Sequence, residues 1–237
     1  MGKQAYFPHD SDGQQIFHRK ASVTVLDSSG LFYPNRFARL FLLAMEAVMG
    51  EASQQTVLSL SGLGELIHTP PPDTLDREFD FAHLSAISQQ LEALFGARGG
   101  RSMALRVGRE MFSLGLNRFG AFAGMKDPAY IALPLDNRVA IGIQTLAAVF
   151  TNFTDQTCAV KTTHEAYLFE VKNSPMAWGR TAERPVCHAL VGILQEGLNW
   201  STNGHEFHVQ EIECRASGGE MCIFKINKNP IGGTKRG

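Results

Sequence analysis

Apolar positions along this chain follow a helical period through its first two-thirds and an alternating period in its last third. Phe37, Leu40, Phe41, Ala44 and Val48 fall at i, i+3, i+4, i+7 and i+11, one face of a helix that opens at Pro34 and ends near Gly50. Before it, 21–26 reads as a strand; after it, 53–76 contains Pro70, Pro71 and Pro72 and reads as a connector with room for a short helix. Asp80 is placed to cap a second helix, with Leu84, Ile87, Leu91 and Leu94 on its buried face and Gly96 as its stop. A third helix, from about Arg101 to Asn117, is apolar on more than one side, which predicts a central position. Asp136 is placed to cap a fourth, carrying Val139, Ile143, Leu146, Ala147 and Phe150.

The period then changes. Thr162 to Lys172 reads as a strand with Tyr167, Phe169 and Val171 on one face, and Phe207–Arg215 with Met221–Ile226 reads as a hairpin. Between them Pro185 precedes a helix in which Cys187, Leu190, Val191, Leu194 and Leu198 share a face. Helices first and strands later, with one helix among the strands, predict an α+β fold: an antiparallel sheet with packed helices.

Composition narrows the classes. The chain has 237 residues, 44% of them hydrophobic and 19% charged, which is ordinary for a folded protein and long enough for a sizeable core. A net charge of −1 removes any general electrostatic case for nucleic acid or an anionic membrane as partner. No apolar run approaches the roughly 18 residues of a membrane span. The N-terminal residues lack the apolar stretch of a signal peptide. Four cysteines in that context predict a cytoplasmic, reducing setting, where metal binding is favoured over disulfides.

The cysteines carry the most specific signal. Cys214 and Cys222 flank a turn containing Ser217, Gly218 and Gly219, Glu211 lies three residues before Cys214, and Cys187 opens the preceding helix. Three soft sulfurs and a carboxylate suit a closed tetrahedral site, with Zn²⁺ the first choice. A lone cysteine on an apolar helix face is ordinarily core, so Cys187 by itself argues little. Glu211 and Cys214 also have opposite parity on a regular strand, so the chain must bulge or the strand must end near Ile212. His188, His205 and His208 stand as alternative fourth ligands.

These residues resemble a known family. The segment from Pro185 to Ile226, PVCHALVGILQEGL followed by EIECRASGGEMCIFKI, is similar to the 4-vinyl reductase domain family, whose hallmark is a helical Cys and then a Glu-x-x-Cys…Cys-x-Phe signature. One extra residue lies in the Gly218-Gly219-Glu220 stretch relative to the shortest form of the motif. Upstream, the Pro34 helix, Gly62-Leu63 followed by prolines, and the run Phe95-Gly96-Ala97-Arg98-Gly99-Gly100-Arg101 are also family-like, so the resemblance spans about 20–227.

The resemblance implies the NO-signalling/Golgi-transport ligand-binding-like fold, shared with sensor domains of aromatic-catabolism activators, bacteriochlorophyll-synthesis-associated proteins and vesicle-tethering subunits. It implies a structural zinc held by Cys187, Glu211, Cys214 and Cys222 beside a ligand pocket. The expected organisation is an N-terminal tail (1–19), one ligand-binding domain (20–227) with the motif in 160–227, and a C-terminal tail (228–237).

Pocket residues must come from this chain itself. Tyr167 and Phe169 on their strand, Trp178 in the loop before the zinc helix, and Phe112 and Phe150 on flanking helices are the candidates for an aromatic-lined cavity. The competing reading makes each an ordinary core aromatic. Gly108 and Gly115 permit close approach of a ligand or, more simply, of a neighbouring helix.

Catalytic constellations are thin: there is no P-loop, Gly62-Leu63-Gly64 lacks a third glycine, and no nicotinamide, flavin or iron–sulfur motif is legible. The expectation is a non-catalytic sensor or carrier for a hydrophobic aromatic or tetrapyrrole ligand. It would form a homodimer and report to a protein partner. The alternative is an enzyme or accessory factor of tetrapyrrole metabolism acting on a vinyl-bearing substrate.

Overall fold

The computed structural model describes residues 27–116 and 120–232; the expected strand over 21–26 and the 1–19 tail lie outside the described residues. A short two-stranded sheet pairs β1 (Phe32–Pro34) with β2 (Arg77–Asp80), antiparallel. Between these strands run α1 (Asn35–Met49), α2 (Glu51–Leu60) and a 3₁₀ turn at Gly64–Ile67. Pro34 is the N-cap of α1, and Phe37, Leu40, Phe41 and Ala44 are buried as their spacing predicts. The connector expected from residue 53 onward is thus a full helix for its first part. Only Gln54, Val57 and Leu58 of α2 are buried, too weak a stripe to stand out against the prolines that follow.

Asp80 accepts a hydrogen bond from the Ala82 N–H at 2.7 Å and so caps α3 (Phe81–Leu116). Gly96 does break the helical path, with φ 71° and ψ 166°, but helix resumes directly after it. The expected second and third helices are therefore two halves of one kinked element. The backbone at Gly96 sits where only glycine is comfortable, which is why a stop signal appears there without a loop. A 3₁₀ segment (Gly120–Lys126), the short α4 (Pro128–Ile131) and α5 (Leu135–Phe153) follow. Pro134 is the N-cap of α5, and Asp136 sits in its first turn instead of capping it.

The larger sheet has four antiparallel strands in the order β3 (Thr157–Thr162), β4 (Ala166–Lys172), β6 (Cys222–Pro230), β5 (Phe207–Glu213). β3 was not expected; the predicted strand from Thr162 begins only at Ala166, after a tight turn. β6 runs on to Pro230, past the anticipated boundary at 227. Its inner face reads across the strands as Tyr167 beside Ile226, Phe169 beside Phe224 and Val171 beside Cys222, with Glu211 on β5 also facing Phe224. Helix α6 (His188–Ser201) packs on this layer and, more extensively, on α3.

The α3–α6 crossing is backbone against backbone. A Cβ on Gly108 would stand 1.9 Å from the Ala189 carbonyl oxygen, and one on Gly192 would stand 2.0 Å from that of Leu105. Close helix packing is thus the use of Gly108. No helix among the described residues is long and apolar enough to cross a membrane.

Candidate metal centre

Four elements bring the predicted cluster together. Cys187 is the N-cap of α6, with φ −84° and ψ 46°, one residue outside the helix on whose face it was expected. Glu211 lies on the inner face of β5, where ordinary alternation would turn Cys214 outward. The register shifts between Glu211 and Glu213, and this bulge restores Cys214 to the same side. A 3₁₀ turn at Arg215–Ser217, closed by Gly218 at φ 96°, then delivers Cys222 as the first residue of β6.

The result is compact and dry. One donor atom from each of Cys187, Glu211, Cys214 and Cys222 lies within 4.8 Å of the others, and all four residues are buried. The Sγ atoms of Cys187 and Cys222 are 3.6 Å apart and those of Cys222 and Cys214 are 3.8 Å apart. A tetrahedron with Zn–S bonds of about 2.3 Å requires S···S separations of about 3.8 Å, while a disulfide requires about 2.05 Å. The cysteines are free thiols at metal-site spacing. Glu211 Oε2 accepts from the Cys187 N–H at 2.8 Å, while its buried Oε1 has no partner at all. A buried carboxylate oxygen without a donor is costly, and a cation among the sulfurs is the group its position fits. His188, His205 and His208 are not part of the cluster.

The electrostatics agree with that chemistry. Burial pushes the Cys187 thiol well above its ordinary value, and the Glu211 carboxyl up to about 8, with the neighbouring Cys214 adding to the latter shift. Hydrogen bonds from Cys187 and Cys222 pull Cys214 strongly down, and Cys222 rises in turn. Alone, the cluster therefore gathers a single negative charge on Cys214. Ionising all four groups together needs a compensating multivalent cation.

Residues 168–228, which hold all four of these side chains, match the family model of the 4-vinyl reductase domain. The chain carries a 4-vinyl reductase domain. No curated relative matches the chain. Among solved structures, a doubly substituted Tt H-NOX protein aligns at TM-score 0.50 and 17% identity, over 86% of this chain and 100% of that one. The H-NOX protein from K. algicida aligns at 0.49 and 17%, over 83% and 96%. The phenol-responsive sensory domain of the transcription activator PoxR, with phenol, aligns at 0.44 and 19%, over 64% and 77%. The likeness to the first of these shows an H-NOX-like fold.

Away from the cysteine cluster of its 4-vinyl reductase domain, the chain has an apolar cleft between α1, α3, α5 and α6. Eleven residues line it, among them Phe37, Met111, Phe112, Phe122, Phe150 and Ile193, and none bears a polar side chain. It encloses about 460 Å³ of empty space counted to its mouth, of which about 50 Å³ admits the centre of a water-sized sphere. Phe112 and Phe122 meet edge to face at 5.2 Å, and Phe37 and Phe150 at 6.5 Å.

Of the five aromatic candidates, Phe112 and Phe150 line this cleft and three lie elsewhere. Phe169 is fully enclosed in the sheet core, and Tyr167 is buried with its hydroxyl donating to the Asp136 carbonyl at 3.4 Å. Trp178 borders a separate polar hollow with Arg180 and Arg215. Sequence reasoning passed over Phe37, which it read only as a core position of α1, and Phe122, whose 3₁₀ segment has no period to read.

Proposed function

We propose that this protein is a non-catalytic small-molecule-binding module, a sensor or carrier, that takes a hydrophobic aromatic molecule into the cleft between α1, α3, α5 and α6. A structural zinc ion held by Cys187, Glu211, Cys214 and Cys222 fixes the start of α6 to the β5–β6 hairpin. Four protein donors leave no open position, so the ion supplies folding energy and not an activated water.

The observation that carries the ligand reading is the lining itself. Its walls are hydrocarbon, thioether or glycine, with four phenyl rings offering edges and faces. Such a surface recognises shape and aromaticity, and it offers no proton donor, base or nucleophile to a bound substrate. It also offers no axial ligand for a haem iron. A water needs roughly 10–15 Å³ by this measure, so the open room fits a few heavy atoms, and a single ring enters with modest side-chain movement. A macrocycle does not. A sensor or carrier of this kind would pass its state to a protein partner, and a homodimer is the simplest assembly for it.

Native mass spectrometry of the purified protein tests the reading. The expected species holds one zinc per chain, and monocyclic aromatics at about 100 times Kd raise stability by about 2.7 kcal/mol, near 5–10 °C in Tm. The same spectra give the oligomeric state. Full zinc occupancy in both Cys214→Ser and Cys222→Ser variants would sink the metal assignment. A protein that carries tetrapyrrole pigment and ignores simple aromatics would sink the ligand assignment.

A further inference from the structure

Three thiolates and a carboxylate around a divalent cation leave two net negative charges in a place closed to water. Such a charge is tolerated only where nearby N–H or O–H groups point at it. Each of the four side chains has one such donor. The Cys187 N–H donates to Glu211 Oε2 at 2.8 Å. The backbone N–H of Val186 faces Cys214, and that of Arg215 faces Cys222. The fourth donor, at Cys187 Sγ, is the Ser174 hydroxyl at 3.1 Å.

Three of these donors are backbone groups that every sequence would supply. Ser174 alone is a matter of sequence. It is 1% exposed, and it stands at the end of the loop that leaves β4, as N-cap of the 3₁₀ turn Pro175–Ala177. The residue before it, Asn173, has φ 56°, a left-handed conformation that non-glycine residues seldom adopt. Asn173 Oδ1 accepts from Arg215 Nη1 at 3.0 Å, on the turn between Cys214 and Cys222. The loop is thus reversed sharply and pinned to the cysteine turn, and that geometry aims the Ser174 hydroxyl inward. Its hydroxyl bonds to Cys187 Sγ, and an ionised sulfur can only accept.

We propose that Ser174 is a positioning residue of the metal centre, whose buried hydroxyl donates to the Cys187 thiolate and sets how firmly the site holds its ion. The inference rests on the zinc reading above and goes beyond it, since no part of the four-ligand motif specifies residue 174. Donation to sulfur stabilises the thiolate lone pairs, holds Cys187 in its bonding rotamer and disperses part of the excess charge.

The test uses the full chain loaded with Co²⁺ in place of zinc, in wild type, Ser174→Ala and Ser174→Thr. Two quantities are read: the energy of the thiolate-to-cobalt charge-transfer band, and zinc affinity by competition with a chromophoric chelator. Removing the donor raises the sulfur lone pair, so Ser174→Ala should shift the band to lower energy and weaken zinc binding about 10- to 100-fold. Ser174→Thr keeps the hydroxyl and should return both toward wild type. A Ser174→Ala protein with the wild-type band and affinity overturns the inference and leaves the metal centre intact. Loss of stability with an unmoved band overturns it too, since that is what a merely structural serine would give. A wild-type chain that binds neither ion overturns the metal reading itself, and this inference with it.

Discussion

Gly192→Ala is the sharpest test of how the fold holds its metal centre. The added methyl would sit 2.0 Å from the Leu105 carbonyl oxygen and 3.0 Å from the Arg109 nitrogen. Ordinary contact begins at 3.4 Å, so α6 must retreat from α3 by about 1.4 Å, the difference between 3.4 and 2.0. Helix propensity alone argues the opposite sign, because Ala in a helix interior is favoured over Gly by about 1 kcal/mol. Inserting a methyl into a packed core typically costs about 1–3 kcal/mol. The obstacle here is a carbonyl that cannot swing aside, so the upper end applies, about 3 kcal/mol. For a chain of this size that is a fall of about 6–12 °C in Tm. Cys187 caps the same helix, and metal-site distances tolerate only about 0.2 Å, so zinc retention should fall as well. Urea titration and metal analysis read the two effects, with Gly64→Ala as control, since nothing lies within 4 Å of a Cβ there. A Gly192→Ala protein as stable as wild type, or more so, would refute the backbone-to-backbone crossing.

Two further outcomes are expected. Burial alone would raise the Asp80 carboxyl, but hydrogen bonds from Ser28, Ser29 and the Ala82 N–H outweigh it and lower the group from 3.8 to about 2. A depressed carboxyl stabilises the fold above its unfolded value and loses that contribution as pH falls through its folded one. Asp80→Ala should therefore cost about 1–2 kcal/mol at neutral pH, in line with lost helix caps. The gap from wild type should close between pH 3.8 and about 2, and a constant gap in urea midpoints across that window would contradict the assignment. Phe112→Ala should cost about 3–5 kcal/mol. It should also open the cleft enough that a two-ring aromatic raises Tm in the variant and not in wild type; equal responses would place the ligand elsewhere.

Much of the fold was legible because its signals are local. The stripe of α1 needs only one face and a proline at its start, and the inner rows of β4 and β5 need only period two. What failed was local as well. Gly96 looks like any helix terminus, since a left-handed residue ends a hydrogen-bonded run in the same way whether or not a new one starts next. β3 is an edge strand whose Thr157, Ala159 and Lys161 face outward, so its only apolar signal is the half-buried pair Cys158 and Val160. The cysteine cluster was legible through its spacing, and the parity conflict between Glu211 and Cys214 pointed to the bulge that resolves it. The cleft was not legible, because α1, the 3₁₀ segment at 120–126 and α5 each supply a wall that only the tertiary fold brings together. Ser174 had no signal at all, being one loop serine among many.

The two candidate sites share a helix, and this constrains how they can be related. Ile193 lines the cleft six residues after Cys187, about 9 Å along α6, and it follows Gly192 directly. The stretch between ligand and metal is therefore the stretch pressed backbone to backbone on α3. A close-packed crossing of this kind has no small displacement available to it, since the carbonyls of Leu105 and Ala189 already stand where a methyl would. Room for a ligand must come instead from the walls that can turn or withdraw: the Phe112–Phe122 pair, Phe37 on α1 and Phe150 on α5. The metal centre then works as an anchor for the fixed side of the cleft. The readable change on binding belongs to α1, α5 and the segment carrying Phe122, on the side away from the cysteines.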